Sequence, residues 1–287
     1  MGSMRVVLPA ALVAAAVLAG VSSAAELTLP RVSQKAQVMQ TVGITDITIT
    51  YSRPGVKDRT IWGELVPYDA VWRTGANEAT AIVFSTDVKV NGQALPAGTY
   101  SLHTIPTKTD WTVIFNKQAD QWGSYSYDES ADALRIQAKP QPHEFTEWMQ
   151  FSFPDIQVDK ATIALDWENL RIPFQVEMST VDHALASARA AISSLAADDH
   201  QTPYRSASFA FQNNVALDEA AQWIDKSISI QETWLNLRLK ADMMAAQGKT
   251  TEAISFAERA IAKGKEDAPA DEIAKIEKKV AEWKSKM

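Results

Sequence analysis

The chain contains no cysteine. That excludes disulfides, thiol nucleophiles, thiolate zinc sites and iron–sulfur clusters. It also excludes a lipid-modified cysteine, so stability must come from packing alone. An excess of positive charge is missing too: 28 lysines and arginines stand against 35 acidic residues, a formal net charge of −7. Neither half carries a basic field, so no nucleic-acid partner is expected. There is no glycine-rich phosphate loop, no nucleophile elbow and no His-Glu-x-x-His helix. No cofactor is implied.

Hydrophobic runs are short, apart from residues 6–19, which are apolar except for Pro9. Arg5 precedes this run, and Ser22, Ser23, Ala24 and Ala25 follow it. Charge, short apolar core and small residues in that order read as a secretory signal peptide over residues 1–25. The run is too short for a comfortable membrane span. The expectation is an exported protein, periplasmic or extracellular, that is neither a lipoprotein nor membrane-held after cleavage.

The remainder divides by hydrophobic period. Residues 46–51 alternate strictly, with Ile47, Ile49 and Tyr51 on one face. Residues 81–90 are rich in β-branched side chains and end at Asn91-Gly92, a hairpin signal. Further short strands are expected at 99–105, 111–115, 134–138, 145–153, 163–167 and 172–176. The fold class expected for 26–178 is an antiparallel β-sandwich or barrel of about nine strands. From Ser179 the period becomes three to four. A linker helix is expected over 179–200 and a helical repeat over 201–287, ending in a capping helix. Thr202-Pro203 reads as a helix start, and Gly248 and Gly264 as left-handed helix ends. Ala220, Trp223, Ile224, Ser227 and Ile228 recur 33 residues later as Ala253, Phe256, Ala257, Ala260 and Ile261. That spacing resembles a tetratricopeptide repeat, whose stacked helix pairs present a surface to a protein or peptide partner.

Chemistry concentrates in residues 52–78. The segment holds Arg53, Lys57, Arg59 and Arg73, the carboxylates Glu64 and Glu78, Asn77, and the indoles of Trp62 and Trp72. An arginine fork beside an aromatic face suits a small anionic or sugar ligand. The same residues suit a purely structural role, with Arg73 paired to Glu78 or Glu64 and Asn77 bonded to backbone. The stretches Ile61-Trp62-Gly63, Leu65-Val66-Pro67, Trp72-Arg73-Thr74-Gly75-Ala76-Asn77-Glu78-Ala79-Thr80, Pro96-Ala97-Gly98-Thr99-Tyr100 and Thr104-Ile105-Pro106 resemble the bacterial exported family called domain of unknown function 2911. The resemblance implies an exported β domain, often followed by a helical repeat, and brings no assigned activity.

Two histidines are candidates for more. His103 alternates with Tyr100 and Leu102, so it faces away from the core if those two face inward. There it is a candidate general base, with Glu78 as its partner and Arg73 as anion clamp of an envelope hydrolase. His103 and His143 are weak candidate metal ligands, since no short spacing links them. His183 and His200 read as helix-surface residues. Trp111, Trp148 and Trp167 are expected in the core. Trp122 with Tyr125 and Tyr127 forms either a sugar-stacking platform or a lid on the core. The reading drawn from the residues is a non-catalytic ligand-binding or protein-interaction module. A hydrolase or a structural envelope subunit are the alternatives.

Overall fold

The computed structural model describes residues 29–265 and 267–287. The expected signal peptide lies outside them. Ten strands come first: β1 Gln34–Val42, β2 Thr45–Arg53, β3 Thr80–Phe84, β4 Val88–Val90, β5 Gln93–Leu95, β6 Gly98–Pro106, β7 Trp111–Asn116, β8 Asp132–Ala138, β9 Gln141–Ile156 and β10 Lys160–Met178. Six form one sheet in the order β1-β2-β3-β6-β7-β8, and four form a second in the order β5-β4-β10-β9. All pairings are antiparallel. The two sheets share one hydrophobic core. Ile47, Ile49, Ile82, Leu102 and Phe115 enter it from the first, and Ile163, Leu165, Phe174 and Val176 from the second. Each fully buried side chain of this kind contributes about 1.5–3 kcal/mol.

Three strand expectations need correction. The run 81–90 is not one strand: β3 and β4 lie in different sheets. The chain turns the corner at Ser85–Asp87, where Ser85 N–H donates to Asp46 O and the Asp87 carboxylate accepts from Ala97 N–H at 2.7 Å. Residues 163–167 and 172–176 belong to one long strand, β10, with register shifts on either side of Glu168, whose φ is +55°. Trp148 is not core but 42 % exposed on β9. Asn91 and Gly92 have φ of +45° and +79°, the doubly positive pair a two-residue hairpin turn requires.

Trp62, Trp72, Trp111 and Trp167 cluster at one end of the core. Trp72 stacks on Trp167 at 5.9 Å, and Trp62 meets Trp111 and Trp167 edge-on at 5.0 and 5.6 Å. Trp72 Nε1–H donates to Gly75 O at 3.1 Å. The indole nitrogens of Trp62, Trp111 and Trp167 are buried without a hydrogen-bond partner.

Six helices follow: α1 Thr180–Ser193, α2 Gln201–Gln212, α3 Leu217–Ile230, α4 Trp234–Ala246, α5 Thr250–Gly264 and α6 Ala270–Lys284. Three of the five 33-residue correspondences are fully buried in both members: Ala220 and Ala253, Ile224 and Ala257, Ser227 and Ala260. Asn236, also fully buried, donates to Ser227 Oγ and Gln231 O and joins Thr233 in a capping box. Two end signals differ from expectation. The start of α2 is capped by Asp199, whose carboxylate accepts from Gln201 N, Thr202 N and Thr202 Oγ1. A carboxylate holding two N–H donors displaces Thr202 from the cap role. Gly248 has the expected positive φ of 75°, but Gly264 does not and ends α5 inside the helix. A Cβ at Gly264 would sit 2.6 Å from the end of the Ile273 side chain and 3.0 Å from Ala268 Cβ, so the close approach of the chain before α6 favours glycine there.

Gly43, in the β1–β2 turn, has φ +60°, and a Cβ there would lie 2.3 Å from Thr180 Oγ1 at the start of α1. Gly43→Ala is expected to lower stability by about 2 kcal/mol or more, from left-handed strain plus overpacking. The urea midpoint of the full chain, read at constant m-value, checks this. An unmoved midpoint would mean that this turn does not pack on α1.

Candidate functional site

Strand register places the polar residues of the first sheet in rows on the face away from the core. One row crosses all six strands as Gln37, Thr50, Ala81, Ser101, Asn116 and Asp132. Beside it, His103 pairs with Ile114 and Ile114 with Arg135. Alternation sends these side chains outward because Tyr51, Ile82, Tyr100, Leu102 and Phe115 point inward.

Residues 117–131, between β7 and β8, fold over the half of this face that carries β6–β8. Backbone bonds tie their edge to the 72–80 segment: Ala79 N–H donates to Gln121 O and Gly123 N–H to Asn77 O. Beneath lies a connected polar network. His103 Nδ1 is 3.1 Å from Ser124 Oγ and Nε2 is 3.1 Å from Ser101 Oγ. The His103 ring lies 5.1 Å from that of Tyr127. Tyr127 Oη donates to Asp132 Oδ2, Asn116 Nδ2 donates to Asp132 Oδ1, and Arg135 Nε donates to Asp132 Oδ2 at 2.6 Å. Burial, followed by the Asp132 hydrogen bond, pushes the Tyr127 hydroxyl up to about 12.

His103 therefore does face away from the core, but that face is covered, and its exposure is 0 %. Burial lowers its pKa to about 4 against an opposing pull from Asp132, so the ring is neutral near pH 7. Gln121 Nε2–H₂ donates to Gln118 O at 2.8 Å, which fixes the amide, and lies 3.5 Å from both Ser101 Oγ and Asn116 Oδ1. Ser101 and His103 have the hydroxyl–imidazole contact of a nucleophile and base, yet both are fully buried.

The uncovered half of the face is a cleft of ≈ 310 Å³. Thr50, Ser52, Ala79 and Ala81 line it as small residues, with Lys35, Glu78, Asp120 and Gln121 around them. Gln121 is 8 % exposed, and its Oε1 is buried without a hydrogen-bond partner. Next to it Trp122, bridged through its backbone to Glu78, is 60 % exposed, and Tyr125 is 87 % exposed.

The cations expected to hold a ligand in 52–78 are mostly engaged locally. Arg53 donates to Met149 O and Trp148 O, and Arg59 to Val56 O and Gly55 O. Lys57 lies over the Trp148 ring at 5.6 Å. Asn77, with φ +59°, donates to Ser33 O. Trp72 is in the core. Arg73 follows Trp72 on the strand edge paired with Thr104, and its Nε is buried without a hydrogen-bond partner. Glu78 alone of these residues lines the cleft, and His103 does not. His143 bonds to Glu144 O on β9, and no group of three metal-ligating side chains occurs among the described residues. Sequence reasoning missed Lys35, Asn116, Gln121, Asp132 and Arg135. Only cross-strand register brings them together.

The family described as a protein of unknown function (DUF2911) matches residues 33–176. No curated protein and no solved structure matches the chain.

Proposed function

Starting from the premise that the chain belongs to the DUF2911 family, we propose that it is an exported, non-catalytic binding protein of the cell envelope whose β domain takes a small sugar in the cleft beside Glu78. The observation that carries this reading is a juxtaposition. An open polar cleft adjoins an exposed indole at Trp122, while the hydroxyl–imidazole pair at Ser101 and His103 is sealed. Sugars use both features: a ring face stacks on an aromatic, and hydroxyls bond to carboxylates and amides. An anion fits less well, because Glu78 and Asp120 outnumber Lys35 in the lining and Arg53, Lys57 and Arg59 are engaged elsewhere. A hydrolase using Glu78, Arg73 and His103 would require substrate to reach an imidazole beneath residues 117–131.

The finer architecture in this reading is a sandwich of the two sheets and a tetratricopeptide-like tail. In the tail α2–α3 and α4–α5 are the two helix pairs and α6 the cap. The tail presents a surface to a protein or peptide partner. Among the described residues no helix is long and apolar enough to cross a membrane.

Thermal shift against neutral, amino and acidic saccharides, with simple anions alongside, tests the sugar site. At least one saccharide should raise the melting temperature. Trp122→Ala should weaken its binding about tenfold, the ~1.4 kcal/mol that such a change represents. Ala81→Phe, which fills the cleft from a position outside the core, should abolish it. Stabilisation by anions alone, or saccharide binding indifferent to both substitutions, would overturn the reading.

A further inference from the structure

The segment that covers His103 also builds the cleft. Ala119, Asp120 and Gln121 form one cleft wall. The next residues carry Trp122, then Ser124, which bonds to the His103 ring, and Tyr127, which packs on it. Gln121 reaches the same imidazole through Ser101. We propose that His103 is the positioning residue of this wall, and that its protonation releases residues 117–128 and makes the cleft acid-labile. The structural half of the inference stands without any ligand. The claim that opening empties the cleft rests on the proposed sugar site.

The geometry explains why the closed segment rejects a proton on His103. Both ring nitrogens face hydroxyls, and the ring is sealed from water. An imidazolium there would need a counter-charge. The titratable groups that reach it are Tyr127 on the covering segment and Asp132 on β8, with Arg135 of β8 bonded to both and Asp128 and Glu129 flanking them on the covering segment. Asp132 is the nearest candidate, but its oxygens already accept from Arg135, Tyr127 and Asn116. Glu129 pairs with Arg135, and Asp128 accepts from Ser130. With the segment lifted, water solvates the ring and the proton is accepted at ordinary pH.

The sign follows from linkage. In the closed form His103 protonates near pH 4, and in the open form near the usual value of about 6.5. Between these values the open form binds more protons, so falling pH favours opening. Above about 6.5 the closed form keeps its full advantage, and below about 4 nothing more is lost.

Hydrogen exchange on the ligand-free chain tests this. The Gly123 and Ala79 amides, which tie the segment to residues 72–80, report opening. After correction for intrinsic rates, their protection should fall on the order of 25-fold from pH 7.5 to pH 5, while core amides of β2 and β6 stay protected. In His103→Gln the same protection should be flat over this range. Should that variant misfold, an NMR titration of the wild-type imidazole decides instead. A titration near 6.5, protection unchanged with pH, or an acid response retained in His103→Gln would each overturn the proposal. With any saccharide that binds, affinity should fall with the same pH profile. If none binds, the exchange result still stands, so failure of the sugar reading and failure of the switch are separable.

Discussion

Arg171→Met is expected to destabilise the protein by about 3–5 kcal/mol, the loss associated with stranding one charge of a buried pair. Asp166 on β10 has 0 % exposure. Arg171 holds it through both ends of the guanidinium, Nε to Oδ1 at 2.6 Å and Nη2 to Oδ2 at 2.8 Å. Among the described residues, only Ser152 adds a further side-chain bond, at 3.3 Å. The pair spans the register shifts around Glu168, so it ties the strand together across an irregular stretch. Removing the arginine leaves a buried carboxylate with one weak donor. Arg171→Lys should lose less, about 1–2 kcal/mol, because the charge remains while the fork geometry is lost. Replacing both partners, as Asp166→Leu with Arg171→Met, should recover much of the deficit, since no charge is then left buried. Guanidinium unfolding of the four proteins measures the series. A single-variant loss under about 1 kcal/mol would show that water reaches Asp166 and that the pair behaves as a surface bridge.

Trp72→Ala should cost about as much, roughly 3–5 kcal/mol, and should also damage the cleft. The ring stacks on Trp167 and meets Trp62 and Trp111 edge-on, so truncation opens a cavity among the three remaining indoles. Its N–H holds Gly75 O, which fixes the turn that leads to Glu78. Packing and site therefore depend on one side chain. Trp72→Phe separates the two roles. It fills part of the cavity and removes the hydrogen bond, so about 1–3 kcal/mol should be lost. Chemical unfolding gives the stabilities, and saccharide binding at a temperature where the variant is folded gives the effect on the site. Equal stability of Trp72→Ala and wild type would mean that the tryptophan cluster is not a structural centre.

The parts of this fold legible in sequence are those where one face is buried and the other is not. β2 reads directly because Ile47, Ile49 and Tyr51 alternate with Thr48, Thr50 and Ser52. The tail reads directly as helical because its apolar residues recur at helical spacing. β1 was missed: Gln-Lys-Ala-Gln-Val-Met-Gln-Thr-Val is an edge strand that is half wet, with little hydrophobic contrast. The corner between β3 and β4 was missed because residues on both sides are β-branched, and period alone does not reveal a change of sheet.

The candidate site was less legible than the fold. His103 was singled out, and its face was read correctly from alternation, but its cover was not foreseen. Arg135 lies in the expected strand 134–138 with no sign of a partner, and Asp132 lies just outside that expected strand. Their partner Tyr127 is five residues from Asp132, but His103 is 24 positions earlier than Tyr127. Conversely Arg53 and Arg59, which looked like ligand-binding cations, fold the loop: Arg59 caps its own carbonyls, and Arg53 ties it to carbonyls of β9.

The sequence alone determined that β-structure precedes helices, that no cysteine chemistry operates, and which residues of β2 and β6 face the core. These follow from local periodicity and composition, which need no knowledge of distant partners. The tertiary structure decided that Thr50, Ala81, Ser101, Asn116 and Asp132 form one row, and that residues 117–131 seal half of it and leave the other half open. Such facts depend on register between strands far apart in the chain, and register is set by the packing of the whole core rather than by any local run of residues.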